Sequence, residues 1–113
     1  MITLRVQDPA QALRFYRDVL GFEGRLLAAD LAHVNLPGIL LALVRDARLD
    51  VLHGPGAGRH RPGVGVEIHV PVSDAALTAE KIRSRGGFLV SEEAGRVSAR
   101  DMDGYVVTFE SSV

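Results

Sequence analysis

The stretch GVEIHVPVSD, residues 65–74, decides how the rest of the chain is read. Val66, Ile68, Val70 and Val72 alternate with Glu67, His69 and Pro71. Strict alternation of this kind marks a half-buried strand with two chemically different faces. Ser73 and Asp74 follow, and their side-chain oxygens suit the free N–H groups at the start of a helix. The strand's polar face carries a carboxylate and an imidazole, so the functional question is what Glu67 and His69 look at.

Working outward, the same pattern occurs at the start of the chain. Sliding the sequence by 66 residues, without a gap, brings Ile2 onto Ile68, Val6 onto Val72 and Asp8 onto Asp74. Gly21-Phe22 falls on Gly87-Phe88, and Gly38 on Gly104. Residues 1–47 and 67–113 share nine identities over 47 positions, where roughly three or four are expected from ordinary composition. The matches fall at strand ends, caps and turns, so the chain reads as two copies of one unit.

Each unit predicts β-α-β-β-β. Strands are expected at 2–6, 24–29, 32–36 and 39–44, then at 66–72, 88–92, 95–100 and 105–110. Asp8-Pro9 and Ser73-Asp74 cap the two helices. Ala12, Phe15, Tyr16, Val19 and Leu20 make one helical stripe, and Ala75, Ala76, Ala79 and Ile82 a thinner one. Gly21 and Gly86-Gly87 end the helices. Pro37-Gly38 and Asp103-Gly104 supply turns. The expected organisation is one domain over 1–113: a module at 1–44, a Gly- and Pro-rich linker at 45–63 and a module at 64–113.

Composition narrows the function. Hydrophobic residues make up 47% of the chain, enough for a buried core. The net charge of −1 excludes a broad basic footprint, so no nucleic-acid partner is expected. The absence of cysteine removes disulfides, thiolate metal sites and a thiol nucleophile. No apolar run reaches the ~20 residues of a membrane span, and no secretory signal pattern opens the chain. The expected location is the cytoplasm.

The stretches VQDPAQALRFYRDVLGFE (6–23) and ARDMDGYVVTFE (99–110), set in two βαβββ units, resemble the vicinal oxygen chelate superfamily. That superfamily includes glyoxalases, bleomycin-resistance proteins, fosfomycin-modifying transferases and extradiol dioxygenases. The resemblance implies an α+β fold: two βαβββ modules in pseudo-twofold repeat, forming a cupped eight-stranded mixed sheet with the helices outside. It also implies four symmetry-related metal-ligand positions, seven residues before each capping Asp and four after each turn glycine. Here these hold Met1, Glu67, Ala42 and Thr108. Only Glu67 offers a good donor, whereas catalytic zinc takes about three protein ligands. No divalent metal or other cofactor is therefore expected.

Alternation over the aligned strands places Thr3, Arg5, Ala42, Glu67, His69, Thr108 and Glu110 on the concave lining, with Met1, Leu40, Val44 and Val106 beside them. An apolar wall with a few convergent polar groups suits a small molecule. Glu67 and His69 have two other readings: pairing with Arg5 or the loop arginines to satisfy buried charge, or an acid–base dyad. His33, His53 and His60 read as structural or solvated. Asp101 and Asp103 read as turn residues able to reach a neighbouring subunit.

The leading expectation is a small-molecule-binding protein similar to the bleomycin-resistance branch, sequestering its ligand without metal or catalysis and acting as a homodimer. Antibiotic resistance is one role such sequestration serves. The alternatives are a glyoxalase- or dioxygenase-like lyase or isomerase with an atypical metal or Glu–His site, and an interaction module with a vestigial cavity.

Overall fold

The structure, a computed structural model, describes residues 1–47 and 66–111. In the first half β1 (Ile2–Val6) leads into α1 (Pro9–Arg14), followed by β2 (Glu23–Ala28), β3 (Leu31–Leu36) and β4 (Ile39–Arg45). In the second half β5 (Glu67–Val72) leads into α2 (Ala75–Ser84), followed by β6 (Leu89–Glu93), β7 (Arg96–Arg100) and β8 (Val106–Ser111). The expected βαβββ plan is present in both. Of the expected linker, Arg45 closes β4. Residues 48–63, with His53, Arg59, His60 and Arg61, lie outside the described residues.

Both described helices start as the capping residues require. The Asp8 carboxylate accepts from the backbone N–H of Ala10 at 3.0 Å and Gln11 at 3.4 Å, with Pro9 in the first turn. Asp74 accepts from Leu77 at 3.1 Å. Beyond Arg14 the first helix widens into a π turn over Phe15–Val19. There the Leu20 N–H reaches the Phe15 carbonyl at 3.0 Å, and Phe22 reaches Tyr16 at 3.0 Å. Gly21 then reverses the chain at φ 89°, a left-handed conformation that costs glycine little.

The eight described strands form two four-stranded mixed sheets of identical order, β1-β4-β3-β2 and β5-β8-β7-β6. In each, the first and last strands of the module pair in parallel and the other neighbours are antiparallel. The repeat holds its offset of 66 residues across the parallel pairs, where Thr3 faces Ala42 and His69 faces Thr108. It slips to 65 between β3 and β7, because His33 faces Ala42 whereas Ser98 faces Thr108. The turns before β3 and β7 are equal in length, between Ala28 and Leu31 and between Glu93 and Arg96, and the turn after β7 is a residue longer than its mate.

Helices cover one face of each sheet and leave the other open. The covered faces supply Leu4, Val6, Leu41, Leu43, Val97 and Val107, which merge with Tyr16 and Ile82 into one core. Leu41 and Leu43 are fully buried, so either one changed to Ala costs about 2–5 kcal/mol. Polar links also join the halves. The Tyr16 hydroxyl donates to Asp101 Oδ2 at 2.7 Å, Gln7 N–H to Asp103 Oδ1 at 3.0 Å, and the Tyr105 hydroxyl to the Arg5 carbonyl at 2.9 Å. Asp101 and Asp103 are thus buried inside this chain rather than displayed to a neighbouring subunit. No described helix is long and apolar enough to cross a membrane.

Candidate functional site

Period-two geometry brings Glu67 and His69 of β5 onto the open face of the second sheet, with Thr108 and Glu110 of β8. The neighbouring strand β7 adds Arg96, opposite Glu110, and Ser98, opposite Thr108. These six side chains form a continuous polar network. The buried Ser98 and Thr108 hydroxyls lie 2.8 Å apart. Thr108 donates to Glu67 Oε1 at 2.5 Å, and Arg96 Nη2 donates to the same oxygen at 3.3 Å. His69 Nδ1 stands 2.6 Å from Glu110 Oε1, and its Nε2 is 3.6 Å from Glu67.

The Thr108 hydroxyl, then the charges of His69 and Arg96, hold the Glu67 carboxyl below its usual range. Glu67 is therefore an anion at neutral pH. The network is buried at its root and exposed at its tips, with the Glu67, His69 and Glu110 side chains 40%, 51% and 47% accessible. A recess of about 290 Å³ opens between His69, Pro71 and Glu110. The arrangement can accept hydrogen bonds from a ligand at two carboxylates and donate from Arg96. It also presents an imidazole oriented by a carboxylate.

Thr3, Arg5 and Ala42 occupy the open face of the first sheet, where Thr3 pairs with Ala42 and Arg5 with Val44. Thr3 and Arg5 are exposed and Ala42 is buried. Across from Ala42 stands His33, itself opposite Arg25. A second recess of about 420 Å³ is lined there by Arg25, His33 and Leu40. Glu67 finds its cation in Arg96 of its own sheet rather than in Arg5. Sequence reasoning missed Arg96 and Ser98 and set His33 aside, because alternation was applied to the first and last strands of each module only. The same alternation along β3 and β7 places all three.

The positions where the resemblance implies metal ligands do not fit a metal. Ala42 has no donor atom, the Thr108 hydroxyl is committed to Glu67 and Ser98, and Met1 is 80% exposed beyond the start of β1. Among the described residues no three His, Cys, Asp or Glu side chains converge as a metal site requires.

The family model described as "Glyoxalase/Bleomycin resistance protein/Dioxygenase superfamily" matches residues 1–109. The chain belongs to this superfamily. Solved structures share its fold. A virulence protein from Salmonella typhimurium is 20% identical with a TM-score of 0.74, the match covering 99% of this chain and 94% of that one. TioX from Micromonospora sp. ML1 is 20% identical at a TM-score of 0.73, covering 99% and 96%. Lactoylglutathione lyase from Agrobacterium tumefaciens is 19% identical at 0.68, covering 99% and 92%. At these identities the likeness extends to the fold alone. A comparison with curated protein sequences returns no match.

Proposed function

We propose that this superfamily member is a metal-independent, cytoplasmic small-molecule-binding protein of the sequestering kind, with its site on the open face of the second sheet. One observation carries the reading. Glu67, the one good donor among the four implied ligand positions, spends its carboxylate on Thr108 and Arg96 of its own sheet. A carboxylate held in this way, beside Glu110 and His69, is a ready-made acceptor for a ligand rich in N–H or O–H groups. Sequestration of a toxic compound, an antibiotic among them, is the role this chemistry suits.

The working unit we propose is a homodimer. Each open face is exposed within one chain, and the outer strands carry apolar side chains in water. Leu26 and Leu27 on β2 are 45% and 41% exposed, Val90 on β6 is 48%, and Phe88 just before β6 is 87%. Self-association covers such edges and apolar surface.

Elemental analysis of the purified protein tests the metal-independent reading. Zinc, nickel, manganese and iron should all fall well below one per chain. Near-stoichiometric metal that disappears in Glu67→Ala would overturn the proposal and favour a lyase or isomerase built on the same sheet.

A further inference from the structure

The duplicated halves meet along two seams related by the repeat, and the seams are filled differently. In the first, Tyr16, Asp101, Asp103 and Tyr105 tie the halves together through the hydrogen bonds given above. In the second, the equivalent positions are apolar. The Asp101 N–H bonds to the Tyr105 carbonyl at 2.9 Å, as Leu36 pairs with Ile39, so Leu36 and Ile39 stand where the first seam has Asp101 and Tyr105. Ile82 takes the place of Tyr16.

The second seam also has a shorter turn. Between Leu36 and Ile39 lie only Pro37 and Gly38, whereas Met102, Asp103 and Gly104 lie between Asp101 and Tyr105. In the longer turn the Asp103 carboxylate accepts from the Gln7 N–H, whereas Pro37, its mate under the shift of 66, has no carboxylate. Ile39 is 41% exposed where Tyr105 is 4% exposed. A cavity of about 510 Å³ remains, inside the range of roughly 300–1,000 Å³ typical of small-molecule sites.

We propose that this second seam is a binding site for a small organic anion with a flat apolar body, an aromatic carboxylate being the simplest example. Its apolar wall includes Phe22 stacked on Phe109, ring centroids 5.8 Å apart and planes 20° from parallel. Lys81 and Arg85 line the same cavity from α2 and its C-terminal cap. Their spacing of four residues puts them on one helical face. The shift of 66 places them opposite Phe15 and Val19, which are apolar and part-buried in the other half.

Arg85 is also held in place. Its Nη1 donates to the Val19 carbonyl at 3.4 Å, and the guanidinium lies over Gly21, where an added Cβ would come within 2.6 Å of Nη1. Among the described lining residues Glu23 is the single carboxylate, against the two cations. An aromatic acid fits by laying its ring along the phenylalanine wall and its carboxylate toward Lys81 and Arg85. The cavity shares Val70 and Pro71 with the recess beside His69 and Glu110 but is lined by neither Glu67 nor His69.

Titration of the intact protein with 1-naphthoate, and with neutral 1-naphthamide as its isostere, tests the proposal. The acid should bind about tenfold or more tightly than the amide, as a charge-assisted contact implies. Lys81→Met, an exposed change, should lower naphthoate affinity toward that of the amide. Glu67→Ala should leave naphthoate binding unchanged. No binding, equal affinity for acid and amide, an unaffected Lys81→Met or a loss in Glu67→Ala would each overturn the assignment.

Discussion

The Glu67 carboxylate accepts from Thr108 and Arg96 while its outer part stays open to solvent, as do His69 and Glu110. Exposed ion pairs contribute little to folding, and Thr108 keeps Ser98 as a partner when Glu67 is removed. Replacing Glu67 or His69 with Ala should therefore leave the thermal midpoint nearly unchanged. Binding of a ligand found by screening should weaken about ten- to a hundredfold, the usual effect of losing a hydrogen bond to a charged group. Thermal melts and titrations on the two variants check this, and lost stability with unchanged affinity would make the pair structural. The alternation in residues 66–72 made the shared face of Glu67 and His69 legible. Their partners were not legible in that segment, since Arg96 arrives from a strand 29 residues away and its register depends on turn lengths.

At the scale of elements, the β7–β8 turn carries more than its turn-forming composition suggests. Asp101 Oδ1 accepts from the N–H groups of Asp103 and Tyr105, both at 2.9 Å, while Oδ2 takes the Tyr16 hydroxyl. Burial outweighs these hydrogen bonds and pushes the Asp101 carboxyl up to about 6. The folded chain then holds a proton that an unfolded Asp releases near pH 3.8. This contribution to stability is complete below pH 3.8 and is lost as the pH rises through about 6. Its size is on the order of 3 kcal/mol. Denaturant melts from pH 4 to pH 7 should show Asp101→Asn with a flatter profile than wild type, because Asn does not titrate. A wild-type profile with no difference from the variant in that window would contradict the assignment. The D-x-D-G-Y spacing showed a turn, yet nothing in it announces that Tyr16, 85 residues away, closes it. The π turn and the one-residue slip of the repeat were equally hidden. Both depend on which carbonyl a given N–H selects, and side-chain periodicity does not encode that choice.

For the whole molecule, the duplication was written plainly enough in the sequence to give both βαβββ modules, and the resemblance implied helices on the outer faces; the order of strands within each sheet came from the structure. What the duplication left open was how the two open faces are used, because no pattern within one chain states what covers them. Exposed Phe88, Val90, Leu26 and Leu27 favour a dimer, so sedimentation at micromolar concentration should give twice the 12.2 kDa chain mass. A stable monomer would count against it. The central claim is that the Glu67 face binds a small molecule with no metal. Its most direct test is a calorimetric titration of one screened ligand, known to perturb β5 and β8, into chelator-stripped protein and into protein given one equivalent of zinc. The same affinity is expected in both, lost in Glu67→Ala. Binding that appears only after the metal is added would contradict it.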